Sequence, residues 1–576
     1  MSTLAVQEPA SGGPGRLALA GEALAARGGL VLVGAGLFVF LTVPLVAILI
    51  RAVEDKSGAF VGLANFAEYF ASPAFSRSAG NTLTFAALTT LLTVPLAFTF
   101  AYAIQRSCIG AKWLWRNIAL VPILAPSLLA ALSFIYLFGN QGALKALLPW
   151  LGLTTIYGLP GMVLAMTFSA FPHAVMILLA ALSLSDARLY EAADSMATSE
   201  WRKFVTITLP GARYGLISAA MVVFTMAVSE FGVPKVIGAN YSVLAIDIYK
   251  QVIGQQNFQI GAVVGLILLV PALVAFFVDR AVRVRQKALL SARSVPYVPR
   301  PSKLRDRLML AFVLVMSAAM LTIIGMAVFG SFVKVWPYNL SFTLNHYTYG
   351  FEEAGVENAY LNSLVMAAWC AAAGATLTFA GAYWLEKTRG ADLVRPVVRL
   401  QAMLPMAIPG LVLGIGYILF FNHPANPLNV LYGTMTILVL STIIHFYSSS
   451  HLTAVTALKQ LDNEFESVSA SLKVPFYKTF WRVTVPVCLP SIVDISRYYF
   501  VNAMTTISAV VFLYSPKTML AAISIVQLDE AGAIGSAAAM ATLIVVTSGI
   551  VTLLSFAAEG WLLRRTQGWR RAGPAR

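Results

Sequence analysis

The sequence predicts an all-α polytopic membrane protein with about twelve transmembrane helices in two parallel six-helix repeats, and three observations predict it. Hydrophobic residues fill 59% of the 576 positions and charged residues 11%, against about 25% charged in a soluble domain. That excludes an ordinary soluble protein. Apolar runs near the ~20 residues of a bilayer-spanning helix recur twelve times. A charged, patterned loop between two of these runs returns 276 residues later, measured from Pro210 to Pro486.

The runs fall in two sets of six. The first set is placed at about 30–50, 82–104, 117–138, 160–184, 213–234 and 259–279, the second at about 308–333, 361–385, 397–421, 429–455, 487–513 and 537–563. Because six is even, both halves enter the membrane with the same orientation. A pseudo-twofold axis along the membrane normal then relates them, with a pathway between. Local matches support the repeat: Asn81-Thr82-Leu83 with Asn362-Ser363-Leu364, Pro126 with Pro409, and Asp186 with Asp462.

Loop charge sets the orientation. Arg106, Lys112 and Arg116 follow span two, Arg188, Arg202, Lys203 and Arg213 surround the first patterned loop, and Arg280 to Arg307 carry a basic run after span six. Lys387, Arg395 and Arg399 follow span eight, and Arg564, Arg565, Arg570 and Arg571 follow span twelve. The opposite loops hold acids such as Glu54, Glu352 and Asp529. Basic residues mark the cytosolic side, so both termini and both patterned loops are expected there. The formal charge of +15 therefore reads as membrane anchoring, and no nucleic acid is expected. The chain divides into a flexible cytosolic tail (1–27), a first half (28–280), a basic linker (281–307), a second half (308–565) and a basic tail (566–576). Cys108, Cys370 and Cys488 have no metal or disulfide spacing and read as packing residues. No cofactor or metal site is indicated.

The patterned loops are 185–210 and 461–486. In the first, Ser185 or Asp186 caps a helix whose residues Leu189, Ala192, Ala193, Met196 and Ala197 recur at i, i+3, i+4, i+7 and i+8, one apolar face. Pro210 restricts Leu209 and predicts a turn before the next span. The second repeats the layout with Phe465, Val468 and Leu472, then Phe476, Phe480 and Trp481, then Val483, Val485 and Pro486. An ordinary surface helix explains one such loop. Two in matched positions point to two similar partners.

Glu191, Ala192, Ala193, Ala197, Ile207, Leu209 and Pro210 resemble the EAA loop of ABC importer permeases. The resemblance implies a coupling helix that docks into a cytoplasmic ATPase. The family motif usually has Gly where Ala197 stands. In the second copy, counting back from Pro486 puts Ser467, Val468 and Ser469 on the EAA positions and Lys473 on the glycine, with Glu466 one residue early. The implied ATPase-coupling residues are thus Glu191, Ala192, Ala193, Ala197, Leu209 and Pro210, with Glu466, Ser467, Lys473 and Pro486. Also implied are a type I ABC importer permease fold with two permease halves fused, the first helix of each half wrapping outside the other five. The implied partners are two copies of a cytoplasmic ABC ATPase, an extracytoplasmic solute-binding protein and the lipid bilayer of the inner membrane. No GxxxxGK[ST] phosphate loop occurs, so ATP hydrolysis is assigned to the partner and the chain is not expected to be an enzyme.

Polar groups in or near the bilayer mark a pathway, because unpaired charge there is costly. Glu230 and Lys235 at the end of span five are pathway candidates, Glu230 being placed to attract a substrate amine; a local Glu230–Lys235 pair, or a cap at the interface, explains them equally well. His173 and His445 are further pathway candidates, although hydrogen-bonded helix packing explains such histidines, and His451, more often. Asp494 and Arg497, three apart, are expected to pair structurally. Gly410, Gly414 and Gly416 allow close helix approach. The segments Phe231 to Arg280 and Ala509 to Met540 resemble fused permeases assigned to 2-aminoethylphosphonate import, so that cargo is the one the resemblance implies, with ferric iron or thiamine, carried by related fused permeases, as the alternatives. A secondary transporter with two parallel repeats is the rival architecture; it lacks a reason for paired coupling loops. A membrane enzyme ranks behind both, since no catalytic constellation is present.

Overall fold

The computed structural model describes residues 27–288, 295, 297–353, 355–388, 392–462, 464–472 and 474–566. The tail 1–26 and residues 567–576 lie outside the described residues, as does part of the linker.

Helices occupy all twelve expected places, but not all as straight spans. Among the described residues, eight are long and apolar enough to cross a membrane: Arg27–Ala52, Pro73–Arg106, Leu159–Ser183, Glu200–Ser229, Phe258–Val282, Lys303–Ser331, Ala359–Lys387 and Ile534–Arg565. Met435–Lys459 and Val485–Thr505 are long enough, at 25 and 21 residues, but more polar. Spans three and nine, expected to be continuous over 117–138 and 397–421, are instead broken by 99° and 114°. The cause is local. Ala125 and Ile408, each preceding a proline, take extended backbone (ψ 139° and 117°), the conformation a following proline favours. After each break a 12-residue helix, Ser127–Phe138 or Gly410–Phe421, runs almost wholly buried. At about 1.5 Å per residue these rise about 18 Å, too short to span alone.

Spans five and eleven stop short in the same way. The helix ends at Ser229, with Glu230 extended (ψ 129°), and at Thr505, with Thr506 extended (ψ 139°). The repeat then continues in matched hydrogen bonds: Leu244 N donates to Thr82 Oγ1 at 2.9 Å and Ala521 N to Ser363 Oγ at 2.8 Å. Asn81 and Asn362 side chains donate to the carbonyls of Ser242 and Met519. These bonds give the paired Asn-Thr and Asn-Ser sites their structural reason.

The first span of each half packs on the other half. Arg27–Ala52 lies against Gly410–Phe421, and Lys303–Ser331 lies against Ser127–Phe138. Gly416 makes the first contact possible: a Cβ there would sit 2.7 Å from Pro44 O, and the next residue, Tyr417, donates its hydroxyl to Phe40 O at 2.7 Å. The sequence does not announce a short antiparallel hairpin, Val333–Val335 with Asn339–Phe342, between spans seven and eight. Trp336 Nε1 in its turn donates to Gln141 O at 3.1 Å, tying the hairpin to the first half.

Other expectations change. The helix of span six runs on to Ala288 and span seven starts at Lys303, so both ends of the linker assigned to 281–307 are helical. Asp494 and Arg497 do pair. Cys370 and Cys488 are buried, but Cys108 is exposed and donates to Pro299 O, so it is not a core packing residue.

Candidate translocation cavity and coupling loops

The proline breaks of spans three and nine and the stops of spans five and eleven converge on one cavity of about 410 Å³ between the halves. Its walls are matched: Ser229 and Glu230 of the first half stand where Thr505 and Thr506 stand in the second, all four lining it. His173 and His445 line it too. Each imidazole stands where the other half has a serine, His173 against Ser449 and His445 against Ser169, and both serines also line the cavity. His451 lies away from it, with its ring stacked on Tyr447.

Glu230 is held in place. Its Oε1 accepts from Ser127 Oγ at 2.7 Å and from Val233 N at 3.1 Å, the latter at the start of the short helix Gly232–Ile237. The local pair with Lys235 does not form: Lys235 Nζ lies 2.5 Å from Glu530 instead. The second acid of the lining is Asp279, which accepts from Ser218 Oγ. Sequence reading passed over Asp279 because, next to Arg280 at the end of an apolar run, it looks like an interfacial residue. Among the described lining residues there is no Lys or Arg. The Glu230 carboxyl, in a lining without a described Lys or Arg, suits this wall of the cavity to a cationic group. Among the described residues no three His, Cys, Asp or Glu side chains gather closely enough to hold a metal ion.

At one end of the bundle lie the two patterned loops. Asp186 Oδ1 accepts from Arg188 N and caps the helix Ala187–Ser195. The predicted apolar face is not the buried one. Ala187, Tyr190 and Ala193 face inward, while Leu189, Ala192 and Met196 are exposed, Met196 by 79%. Tyr190 decides the rotation, because its hydroxyl bonds Thr208 Oγ1 at 2.9 Å and its ring meets Tyr297 at 4.3 Å, with the Arg106 guanidinium over both rings. Glu191 is exposed on the outer side. Ala197 takes the left-handed conformation (φ 50°) that ends the helix, which is the physical reason a glycine suits this position.

No turn forms at Leu209. The helix from Glu200 runs through Pro210 to Ser229, with a π-helical turn at Phe204–Thr208. Proline lacks the N–H and crowds the preceding turn, and the wider turn before it absorbs this. Phe480–Thr484 does the same ahead of Pro486. Phe204 packs edge-on to Tyr102 and Phe480 to Tyr383, so each loop is anchored to its own half by a matched aromatic pair. In the second loop Glu466 and Ser467 fall in the helix Glu464–Ser471, with their side chains outside the described residues. Lys473 lies outside the described residues altogether. Phe465, Val468, Leu472 and Trp481 are exposed there, as Trp201 is in the first loop.

Outside the membrane-spanning segments, the clearest electrostatic tie is in the first loop. The Lys203 ammonium hydrogen-bonds Asp194, and Arg300 of the linker lies 2.8 Å from the other carboxylate oxygen; together they hold Asp194 below the usual carboxylate range. The same contact, with Glu200 at 2.6 Å, lifts Lys203 above its ordinary value.

The chain is similar to the ferric transport system permease protein FbpB of Actinobacillus pleuropneumoniae, 26% identical over 90% of this chain and 76% of that protein. It is also similar to an Fe(3+)-transport system permease protein of Haemophilus influenzae, 22% identical over 89% and 95%. Over a quarter of its length it is 30% identical to the molybdenum transport system permease protein ModB of Escherichia coli, covering 64% of that protein. Among solved structures, a bacterial alginate ABC transporter complex matches 43% of this chain and 91% of its own at 19% identity, with a TM-score of 0.37, too low to bear on the fold. Residues 109–287 and 378–566 each match one family model, so the chain, a fused pair of such units, belongs to the family of binding-protein-dependent transport system inner membrane components.

Proposed function

We propose that this chain is the membrane-spanning subunit of an ATP-driven importer whose cargo presents a cationic centre to Glu230. A solute-binding protein delivers the cargo from outside. Two copies of a cytoplasmic ATPase engage the loops 185–210 and 461–486, and both termini lie on that cytosolic side. The observation that carries the reading is the cavity between the halves, with Glu230 in its wall and no Lys or Arg among its described lining residues. A cation in such a place lowers the cost of the buried Glu230 carboxyl, while an anion raises it.

Ferric iron is the cargo best supported, because relatives covering most of the chain are ferric transport permeases and a trivalent cation suits the acidic wall at Glu230. 2-Aminoethylphosphonate is the second reading. It rests on the resemblance of Phe231 to Arg280 and Ala509 to Met540, and its ammonium group is the part that Glu230 would meet. Thiamine, a cation, would satisfy the same wall.

The test is uptake into proteoliposomes holding this chain with the ATPase and binding protein encoded beside it, offered labelled iron, 2-aminoethylphosphonate or thiamine in turn. ATP-dependent uptake of iron alone supports the first cargo, and of 2-aminoethylphosphonate alone the second. Uptake of none of the three, with ATP hydrolysis indifferent to the binding protein, would overturn the importer reading.

A further inference from the structure

The outer side of the cavity is closed by side chains from opposite halves. Beyond Glu230 the chain runs through Phe231, which is buried, into the helix Gly232–Ile237. On this helix Lys235 points to Glu530, the last residue of the helix Ala521–Glu530 in the second half, with Nζ and Oε1 2.5 Å apart. The same ammonium sits 4.8 Å from the centre of the Tyr249 ring. Tyr249 in turn packs on Phe231 (5.1 Å) and, across the halves, stacks on Phe512 (6.4 Å, 29°). Lys235 and Glu530 both lie at span ends remote from the coupling loops: Ile237 O accepts from Gly158 N at the start of span four, and Glu530 precedes span twelve.

We propose that the Lys235–Glu530 pair is the latch of an outer gate, with Tyr249 and Phe512 as its apolar seal. The proposal rests on the importer reading for its purpose, since a pathway served from alternate sides needs an outer closure. Lys235 is 21% exposed and Glu530 52%, so the pair is partly desolvated and reachable from outside. Such a pair is strong enough to bias two arrangements of the halves and weak enough to break when a binding protein docks. The cation over Tyr249 links the polar latch to the seal, because withdrawing Lys235 also removes its cation–π contact. Lys235 therefore holds the gate and does not meet the cargo, whose contacts lie one layer further in at Glu230.

The latch is testable on the full chain in lipid nanodiscs, without partner or cargo. Spin labels at Asn240→Cys and Lys517→Cys, both exposed and on opposite halves, with Cys108→Ser in the background, report the outer separation. Lys235→Met and Glu530→Gln are each expected to raise a longer-distance population several-fold. Lys235→Glu with Glu530→Lys is expected to return it to the starting distribution. Unchanged distributions in both single variants would overturn the proposal, and so would single variants that open the outer face without rescue by the swap. Because the readout is a distance in the isolated chain, failure here leaves the importer reading standing, and failed uptake leaves this result intact.

Discussion

Ser127 Oγ donates a 2.7 Å hydrogen bond to Glu230 Oε1. Both residues owe their position to a helix that stops: Ser127 follows the break at Ala125 and Pro126, and Glu230 caps the end of span five. Two interruptions in apolar helices thus bring a hydroxyl and a carboxylate together at the cavity wall.

The first prediction concerns that carboxylate. Glu230→Gln keeps the shape and the Ser127 contact but removes the charge. A hydrogen bond to a charged group is worth about 1.5–3 kcal/mol, so ATP-dependent uptake is expected to fall about tenfold to a hundredfold at limiting cargo. Thr506→Ala, at the matched place in the other half, is expected to leave uptake within about twofold. Equal effects of the two variants would show that charge at Glu230 is not what the cargo meets.

The second concerns Ala197. A residue with a Cβ at φ 50° costs about 1–2 kcal/mol in the left-handed region, whereas glycine there loses about 0.5–1 kcal/mol through a freer unfolded chain. The steric term is the larger. Ala197→Gly is expected to stabilise the first loop by about 0.5–1 kcal/mol and Ala197→Val to destabilise it. Thermal unfolding in detergent, with amide exchange of Ala187–Thr198 as the local readout, checks both signs; greater protection in the valine variant would contradict the strain argument.

These particulars show what the sequence can and cannot disclose. Apolar run length marked twelve places where helices stand, eight of them long and apolar enough to cross a membrane among the described residues, because hydrophobicity over ~20 residues is dictated by the bilayer. The paired Asn-Thr and Asn-Ser sites and the two patterned loops were legible as repeats. The direction of the apolar stripe in the first loop was not, since Tyr190 is turned inward by Thr208 at the far end of the loop and by Tyr297 and Arg106 from two distant segments. Nor was the breaking of spans three and nine: the prolines were visible, but a proline inside an apolar run can equally kink a helix that continues. Asp279 joined the cavity only once span six was laid beside span five, where Ser218 meets it.

The third prediction follows from the Asp194, Lys203 and Arg300 tie. A carboxyl pKa lowered on folding stabilises the loop fully above its unfolded value, near 3.8, and that contribution is lost as pH falls through the lower folded value. An ammonium pKa raised on folding stabilises below its unfolded value, near 10.5, and is lost as pH rises through the higher folded value. Protection of Ala187–Lys203 against amide exchange, corrected for intrinsic rates, is therefore expected to be flat between about pH 5 and 9 and to fall at both ends. Asp194→Asn should remove the acid limb and weaken the alkaline one, where Glu200 remains as partner. An acid limb that persists in Asp194→Asn would assign it to another group.

The last prediction asks whether the two coupling loops are equivalent partners for the ATPase. Both expose apolar side chains, Met196 and Trp201 in the first, Leu472 and Trp481 in the second, and both are braced by a matched aromatic pair. The first is pinned by the linker, where Ala187 N donates to Val295 O at 2.9 Å and Arg300 reaches Asp194. A pinned helix loses less freedom on docking, and its exposed acid is Glu191. Reversing that charge, Glu191→Lys, is expected to reduce co-purification of the ATPase at least tenfold, whereas Ser467→Lys in the second loop should reduce it less. Negligible loss in both would remove Glu191 from the docking surface; equal, severe loss would mean that the ATPase draws on the two loops alike and that the pinning of the first has no bearing on assembly.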